Sequence, residues 1–443
     1  MIQQTISRPD RQFLGAVRWC AVVVMMLTPQ YGFWSTWLGT LVGPLWLWKA
    51  SLDIIVAVLA LLLIGWALLH RQTMRPIVGL AFVRLMIGFS TLALIVTSAV
   101  SVGGEQLAAG LAFGLRYILL FCIMFATSWL LGVGKAWRTM TQRYLVLVTL
   151  FLVGFGLLQV TVLPVDTLTQ FGYGPGTIAP VSTIDNNPDA RRAFATMRGP
   201  NDFGAFMIVL LAVACVMTMP RRQRYVVAAA AGLGLLVSGS RSAMLGGGIV
   251  VASALVLRYG RHVLRRRQAV AGIVVAAIVT VGLVIAATTI PELRLIVFHS
   301  SPGDTHLTEG STDKHWQQTA MGLKAVVDRP LGCGLGCAGP ASFYGEVPSI
   351  SENYYVQIAE ETGIVGLVLW GAIFVVVMRE LYRLAQRDEI ARMLFVSGLG
   401  ITAVGFWLHV WADITLSLVW WGLAGLVIGN AMAKSHKTRY DTT

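Results

Sequence analysis

The chain has 443 residues, of which 56% are hydrophobic and only 12% charged. A soluble domain carries about 25% charged residues, so a water-soluble globule is excluded, and recurrent apolar runs of about twenty residues point to helices spanning a hydrocarbon core of roughly 30 Å. The net charge of +13 reflects the Lys/Arg bias of cytoplasmic loops rather than a nucleic-acid surface, and a β-barrel is excluded because roughly ten-residue alternating segments are lacking.

Arg8 and Arg11 precede the first apolar run, Phe13–Leu27. No small-residue cleavage site follows, so it reads as an uncleaved span. Trp34, Trp37, Trp46 and Trp48 follow as an interfacial aromatic belt. Further spans are expected at Ser51–Leu69, Ile77–Val100, Leu111–Leu131, Leu145–Leu163, Phe203–Met219, Tyr225–Val237, Ala243–Leu257, Val270–Ile290, Tyr354–Met378, Met393–Trp411 and Leu416–Ala433. The expected fold is an all-α polytopic membrane protein of about twelve helices, one integral unit over 1–443.

With the N-terminus inside, most of the 34 Lys and Arg fall in short inside loops. Both termini are therefore expected in the cytoplasm. Two long far-side segments result, 164–202 and 291–353, the latter between helices 9 and 10. Pro291–Asn353 is polar but holds Trp316, Met321, Val326 and Phe343, so it is expected to fold and cap a membrane-embedded site. Cys333 and Cys337 form a disulfide if this segment faces an oxidising compartment, or are small residues in a tight turn. No Cys/His spacing resembles a zinc site.

Several far-side residues are candidates for chemistry. Arg241 lies in Gly239-Ser240-Arg241-Ser242-Ala243 between two apolar runs. An Arg at membrane depth is a functional candidate, and its planar fork suits phosphate oxygens; a short turn touching lipid headgroups is the alternative. Arg198 precedes Asn201 and Asp202, either of which is expected to cap a helix starting at Phe203, leaving an anion site at its N-terminus; an ordinary capped loop is equally open. Arg191 and Arg192 lie close by. Arg116 faces a hydrophilic cavity on this reading, while Arg84 snorkels or pairs. Asp53, Glu105 and Asp413 are available partners. Glu352, at a helix entry, reads as a general base or as a first-turn acid favoured by the dipole. His315 is the rival base. Glu360 and Glu361 sit two turns into an apolar helix and require a cavity or a partner. A Walker A loop and a DxD pair are both lacking, which disfavours a nucleotide-driven pump and a nucleotide-sugar transferase.

Taken together, Gly239-Ser240-Arg241-Ser242-Ala243, Arg198-Gly199-Pro200-Asn201-Asp202-Phe203, His315-Trp316, the Gly332/Gly334/Gly336 run, Glu352-Asn353-Tyr354-Tyr355 and Glu361-Thr362-Gly363 resemble the O-antigen ligase/polymerase superfamily of bacterial membrane glycosyltransferases. The resemblance implies a GT-C-like fold in the inner membrane and a periplasmic active site. It also implies metal-independent, inverting transfer from an undecaprenyl-diphosphate-linked oligosaccharide to a similar acceptor, with no cofactor. Arg198 and Arg241, helped by Arg191 and Arg192, would bind the diphosphate. Glu352 or His315 would be catalytic, supported by Ser240, Ser242, Asn201, Asn353, Tyr354 and Arg116. Other implied partners are membrane lipids and a chain-length regulator or exporter; nucleic acid is not one. Ligases of this superfamily usually carry His-Asn where this chain has Glu352-Asn353, so a polysaccharide polymerase is the first expectation. A ligase to lipid A core or protein is the second, and a lipid-linked oligosaccharide flippase is the alternative of another class.

Overall fold

The computed structural model describes residues 6–100, 103–134, 136–184, 187–263 and 310–441. The expected span Val270–Ile290 and the start of the 291–353 segment lie outside the described residues. The other eleven expected spans each fall on a helix. We number these and the intervening helices α1 (Arg8–Leu27), α2 (Tyr31–Leu41), α3 (Leu45–Leu69), α4 (Arg71–Val78), α5 (Ala81–Ser98), α6 (Gly104–Leu131), α7 (Ala136–Thr161), α8 (Pro200–Val216), α9 (Arg221–Ser238), α10 (Arg241–Val263), α11 (Gly310–Asp328), α12 (Tyr354–Leu384), α13 (Glu389–Val404) and α14 (Ile414–Asp441). Eight stretches among the described residues are long and apolar enough to cross a membrane, and α8 is a shorter apolar helix. The protein is a polytopic, mainly helical membrane protein.

α14 is the central helix. Its apolar window is 89% buried, and it lies along α6 because Gly425 and Gly429 let the two backbones touch. A Cβ at either would come within 2.4 Å of the carbonyl oxygen of Phe121 or Phe125. Small residues four apart provide such close approach in membranes, where burial in lipid gives helices no hydrophobic drive to associate.

Among the described residues, contacts between connections fall into two groups. At one end Arg18 donates to the Gly132 carbonyl, Val133 N–H to Asn430, and Thr218 N–H to Glu389, which also pairs with Arg138 at 2.5 Å. These are the segments expected inside. At the other end Thr196 bonds Pro29, Thr415 bonds Thr28, Lys49 bonds Gly176, and Leu335 N–H bonds Thr97. These are the segments expected outside. A hairpin of β1 (Ser182–Ile184) and β2 (Asn187–Arg192) lies at this second end, pairing Ser182 with Arg192 and Thr183 with Arg191.

Three local expectations are corrected. Asn201 and Asp202 do not cap α8: Gly199 occupies the cap with no side-chain bond, and the helix starts at Pro200, whose fixed φ and missing N–H suit a first turn. The span expected to run to Trp411 stops at Val404, because the next carbonyls are recruited elsewhere: Gly405 O accepts from Tyr354 N–H (2.9 Å) and Phe406 O from Asn353 Nδ2 (3.2 Å). Residues 405–413 are therefore a non-helical connector with one short turn, Val410–Ala412. Finally, α12 is interrupted at Gly363, which has φ +73°. Such a break orphans helical carbonyls, and the Gly/Cys loop fills the gap. Cys333 N–H donates to Glu360 O (2.8 Å), Gly334 N–H to Glu361 O (3.0 Å), and Pro330 O accepts from Ile364 N–H (3.1 Å). Cys333 and Cys337 are disulfide-bonded within this loop.

The polar segment expected on the far side contains α11. Thr319, Gly322 and Val326 share the helix face that packs on Ser351, Val356 and Ala359. His315, one turn earlier on that face, is carried to the entry of α12.

Candidate functional site

The first cluster forms where α11, the entry of α12 and the 405–413 connector meet. Glu352 has φ +51°, a left-handed conformation uncommon for a side-chain-bearing residue and frequent at functional sites. Asn353 fixes it from the next position. Its Oδ1 caps α12 by accepting from Tyr355 and Val356 N–H (3.0 and 3.1 Å), while its Nδ2 grips Phe406. Glu352 Oε2 lies 3.3 Å from His315 Nδ1, the two side chains 27% and 29% exposed. Burial raises the Glu352 carboxyl, but the bond to His315 and the charges of His315 and His409 outweigh it and hold it below its ordinary value.

His409 completes this cluster. Its Nδ1 is 2.6 Å from Gln357 Oε1, and burial pushes its imidazole down to about 4, against the opposing field of Glu352. Behind it, Glu361 is 5% exposed and accepts from Gly336 N–H at 3.0 Å. Of the two acids inside α12, Glu361 thus finds its carboxyl partner in the disulfide loop, whereas Glu360 lies beside Ser349 and Ser351.

The second cluster is built from α3, α6, α8 and the far end of the connector. Arg116 is buried, bonded to both Asp53 oxygens (3.2 and 3.4 Å) and to the Ala412 carbonyl, and lies 4.8 Å over the Phe113 ring. This assigns Asp53 as its partner. Arg198 is exposed, with its guanidinium 6.0 Å from the same ring. Its field reaches Asp202, Asp413, Tyr31 and Lys49. Asp413 also accepts from Leu416 N–H at 2.7 Å, fixing the start of α14.

Arg192, Arg241 and the serines form the neighbouring wall. Arg192 donates to Ser238 O and Asn201 Oδ1, each at 2.8 Å. Gly239 ends α9 at φ +59°, a turn that suits glycine, and Arg241 opens α10. Ser240 and Ser242 hydroxyls are 3.4 Å apart. Gly204 of α8 packs directly on Ser238, Ser240 and Ala243, so the Arg198 and Arg241 stretches, about forty residues apart in sequence, are adjacent. Arg191 is turned to the Leu163 carbonyl at 3.0 Å. Tyr354 donates to Tyr117 at 3.4 Å, and Trp370 bonds the same hydroxyl; this buried set holds α12 against α6 and does not enter the cluster.

Sequence reasoning missed His409 and Gln357. A signal existed: His409 and Asp413, four apart, are the only titratable residues between Met393 and Ala433. They also lie on the connector that joins both clusters, His409 at its middle on Gln357 and within the field of Glu352, and Asp413 at its end within the fields of Arg116 and Arg198.

Residues 225–371 match the O-antigen ligase family. The match covers about a third of the chain and carries Arg241, His315, Glu352, the disulfide loop and the break at Gly363. It supports the O-antigen ligase/polymerase superfamily, and with it a glycosyltransferase-like membrane enzyme of the ligase/polymerase type. Arg198, His409 and Asp413 lie outside the O-antigen ligase-like stretch, and His409 contacts Gln357 within it. No curated protein matches the chain.

Proposed function

We propose that the protein is a polysaccharide polymerase that joins lipid-diphosphate-linked repeat units at the periplasmic face of a bacterial inner membrane. The observation that carries this reading is the junction of two unlike clusters by the 405–413 connector: an arginine wall suited to a diphosphate, and a carboxylate–histidine group suited to a hydroxyl proton. Arg198, exposed beside Arg192 and Arg241, offers donors to the leaving group, whose developing charge such a preorganised site stabilises. The acceptor hydroxyl forms its bond to the donor's anomeric carbon as the bond to the diphosphate breaks, and its proton passes to Glu352. One displacement inverts the anomeric centre. The disulfide in the 333–337 loop supports an oxidising, periplasmic surroundings for this end.

A ligase reading is favoured by one observation, the imidazole of His315 held 3.3 Å from Glu352. Deleting the gene in its source cells and sizing the lipid-linked glycan pool separates the two. A polymerase leaves single repeat units on lipid; a ligase leaves long chains on lipid. An unchanged pool and unchanged surface glycan refute both.

A further inference from the structure

α11 carries three faces along its length. Thr319, Gly322 and Val326 meet α12, and within residues 315–328 only Gly322 and Val326 are buried. Gln317, Lys324 and Asp328 make a polar face. Between these two runs a third stripe, Trp316, Ala320, Leu323 and Val327, spaced i, i+4, i+7 and i+11 as one side of a helix. All four are exposed, and Trp316, Leu323 and Val327 are each more than half exposed. A helix of this length is marginal without tertiary packing, yet its seat is slight: Val326, Val356 and Ala359 form a small apolar cluster separate from the main core. An exposed apolar stripe beside so slight a seat marks a surface that something else covers.

The neighbouring helix says what covers it. α12 is long and apolar enough to cross a membrane. Beyond its break, Ile364, Val365 and Val368 are each more than half exposed, the face that it turns to lipid. Before the break, every residue from Tyr354 to Gly363 except Tyr355 is buried. That is about 14 Å of helix, sheathed by α11 and the disulfide loop. α11 runs along this stretch: His315 lies at Glu352, Val326 at Val356 and Ala359, and the Pro330 carbonyl accepts from Ile364 N–H at 3.1 Å. Leu331, also more than half exposed, packs against Gly363 next to Ile364. Apolar surface is thus continuous from the stripe of α11, through Val327 and Leu331, to the lipid-facing residues of α12. We propose that the Trp316–Ala320–Leu323–Val327 stripe is seated in the adjoining bilayer leaflet, making α11 an interfacial helix rather than a cap surrounded by water. Trp316 suits that depth, where indole rings gather, and Lys324 on the flanking face reaches the headgroups from there. Lipid then supplies the burial that the seat on α12 lacks, and so helps to hold His315 at Glu352.

Spin labels on the full chain test this in nanodiscs of phosphatidylcholine and phosphatidylglycerol, which hold no isoprenoid lipid. Cys20, Cys122 and Cys215 are first replaced by Ala, leaving the Cys333–Cys337 disulfide intact. Nitroxides are then placed singly, by Leu323→Cys or Val327→Cys on the stripe and by Gln317→Cys or Lys324→Cys on the polar face. All four positions are exposed, and two per face keep the comparison if one label disturbs folding, which the melting temperature reports. Collisions are measured with oxygen, which concentrates in lipid, and with a water-soluble nickel chelate, which does not. The expected result is more oxygen and less nickel contact at Leu323 and Val327 than at Gln317 and Lys324, a reversal between two faces of one helix. Equal nickel contact on both faces leaves the stripe in water and overturns the proposal. If neither reagent reaches Leu323 and Val327, protein covers them, whether residues 264–309 or a second copy of the chain, and the proposal is overturned as well. The readout needs no turnover, so failure of the transfer reading leaves it standing.

Discussion

Glu352→Gln tests the acid–base half of the site most directly. The substitution keeps size and hydrogen-bonding capacity but removes the charge. A positioned general base contributes about 10²–10⁴ in rate, which at 1.36 kcal/mol per decade is about 2.7–5.4 kcal/mol of barrier. His315→Ala is expected to do far less. At 3.3 Å a fully charged pair at an effective dielectric of 20 would interact by roughly 5 kcal/mol. Both side chains are more than a quarter exposed, and pairs so open to solvent retain about 1 kcal/mol at most, which is about a fivefold effect. The assay is initial release of lipid diphosphate in nanodiscs as a function of pH. The Glu352 pKa is held below its ordinary value of 4.5, so the carboxylate is ionised at neutral pH, and the acid limb of the unaltered enzyme should fall below about pH 4.5. By the same sign, the stability contributed by the ionised group is present above that value and is lost as pH falls through the depressed pKa. Glu352→Gln should lose the rate at every pH and so abolish the acid limb. An active Glu352→Gln beside an inactive His315→Ala would refute the reasoning and transfer the role to His315.

The two arginines of the second cluster should fail differently. Arg116→Ala strands the partly buried Asp53 and should cost about 3 kcal/mol, the low end for a buried pair, read as loss of folded protein in detergent melting, whereas Arg198→Ala should keep the melting temperature and lose turnover, with Arg198→Lys a poor rescue because it lacks the planar fork. Gly425→Leu and Gly429→Leu should separate α6 from α14, destabilising the protein by at least the 1–3 kcal/mol of an overpacked core; unchanged melting would refute the close approach. Replacing Cys333 and Cys337 together by Ser opens a very short covalent loop, an effect of about 2 kcal/mol by chain entropy, and reducing agent should lower the melting temperature of the unaltered protein but not of the double variant.

Composition and hydropathy determined the class and most helices, because a membrane forces each crossing segment to be apolar over its full length. Charge alone gave the expected sorting of connections into two sides; the contacts of Arg138 with Glu389 and of Thr415 with Thr28 are made only in the folded chain. The motif residues Arg198, Arg241, His315 and Glu352 were also legible, since charges in so apolar a chain stand out. Partnerships were not. Arg116 and Asp53 are 63 residues apart, and His409 and Gln357 are 52 apart; no local pattern pairs them, because each pairing is set by how α3, α6, α12 and the connector pack. The same cause hid the end of α13. Residues 405–411 are apolar and aromatic enough to continue a span, and only the demand of Tyr354 N–H and Asn353 Nδ2 for the carbonyls of Gly405 and Phe406 pulls them out of the helix. That competition for backbone hydrogen bonds exists only in the folded chain, and it is what places His409 on Gln357.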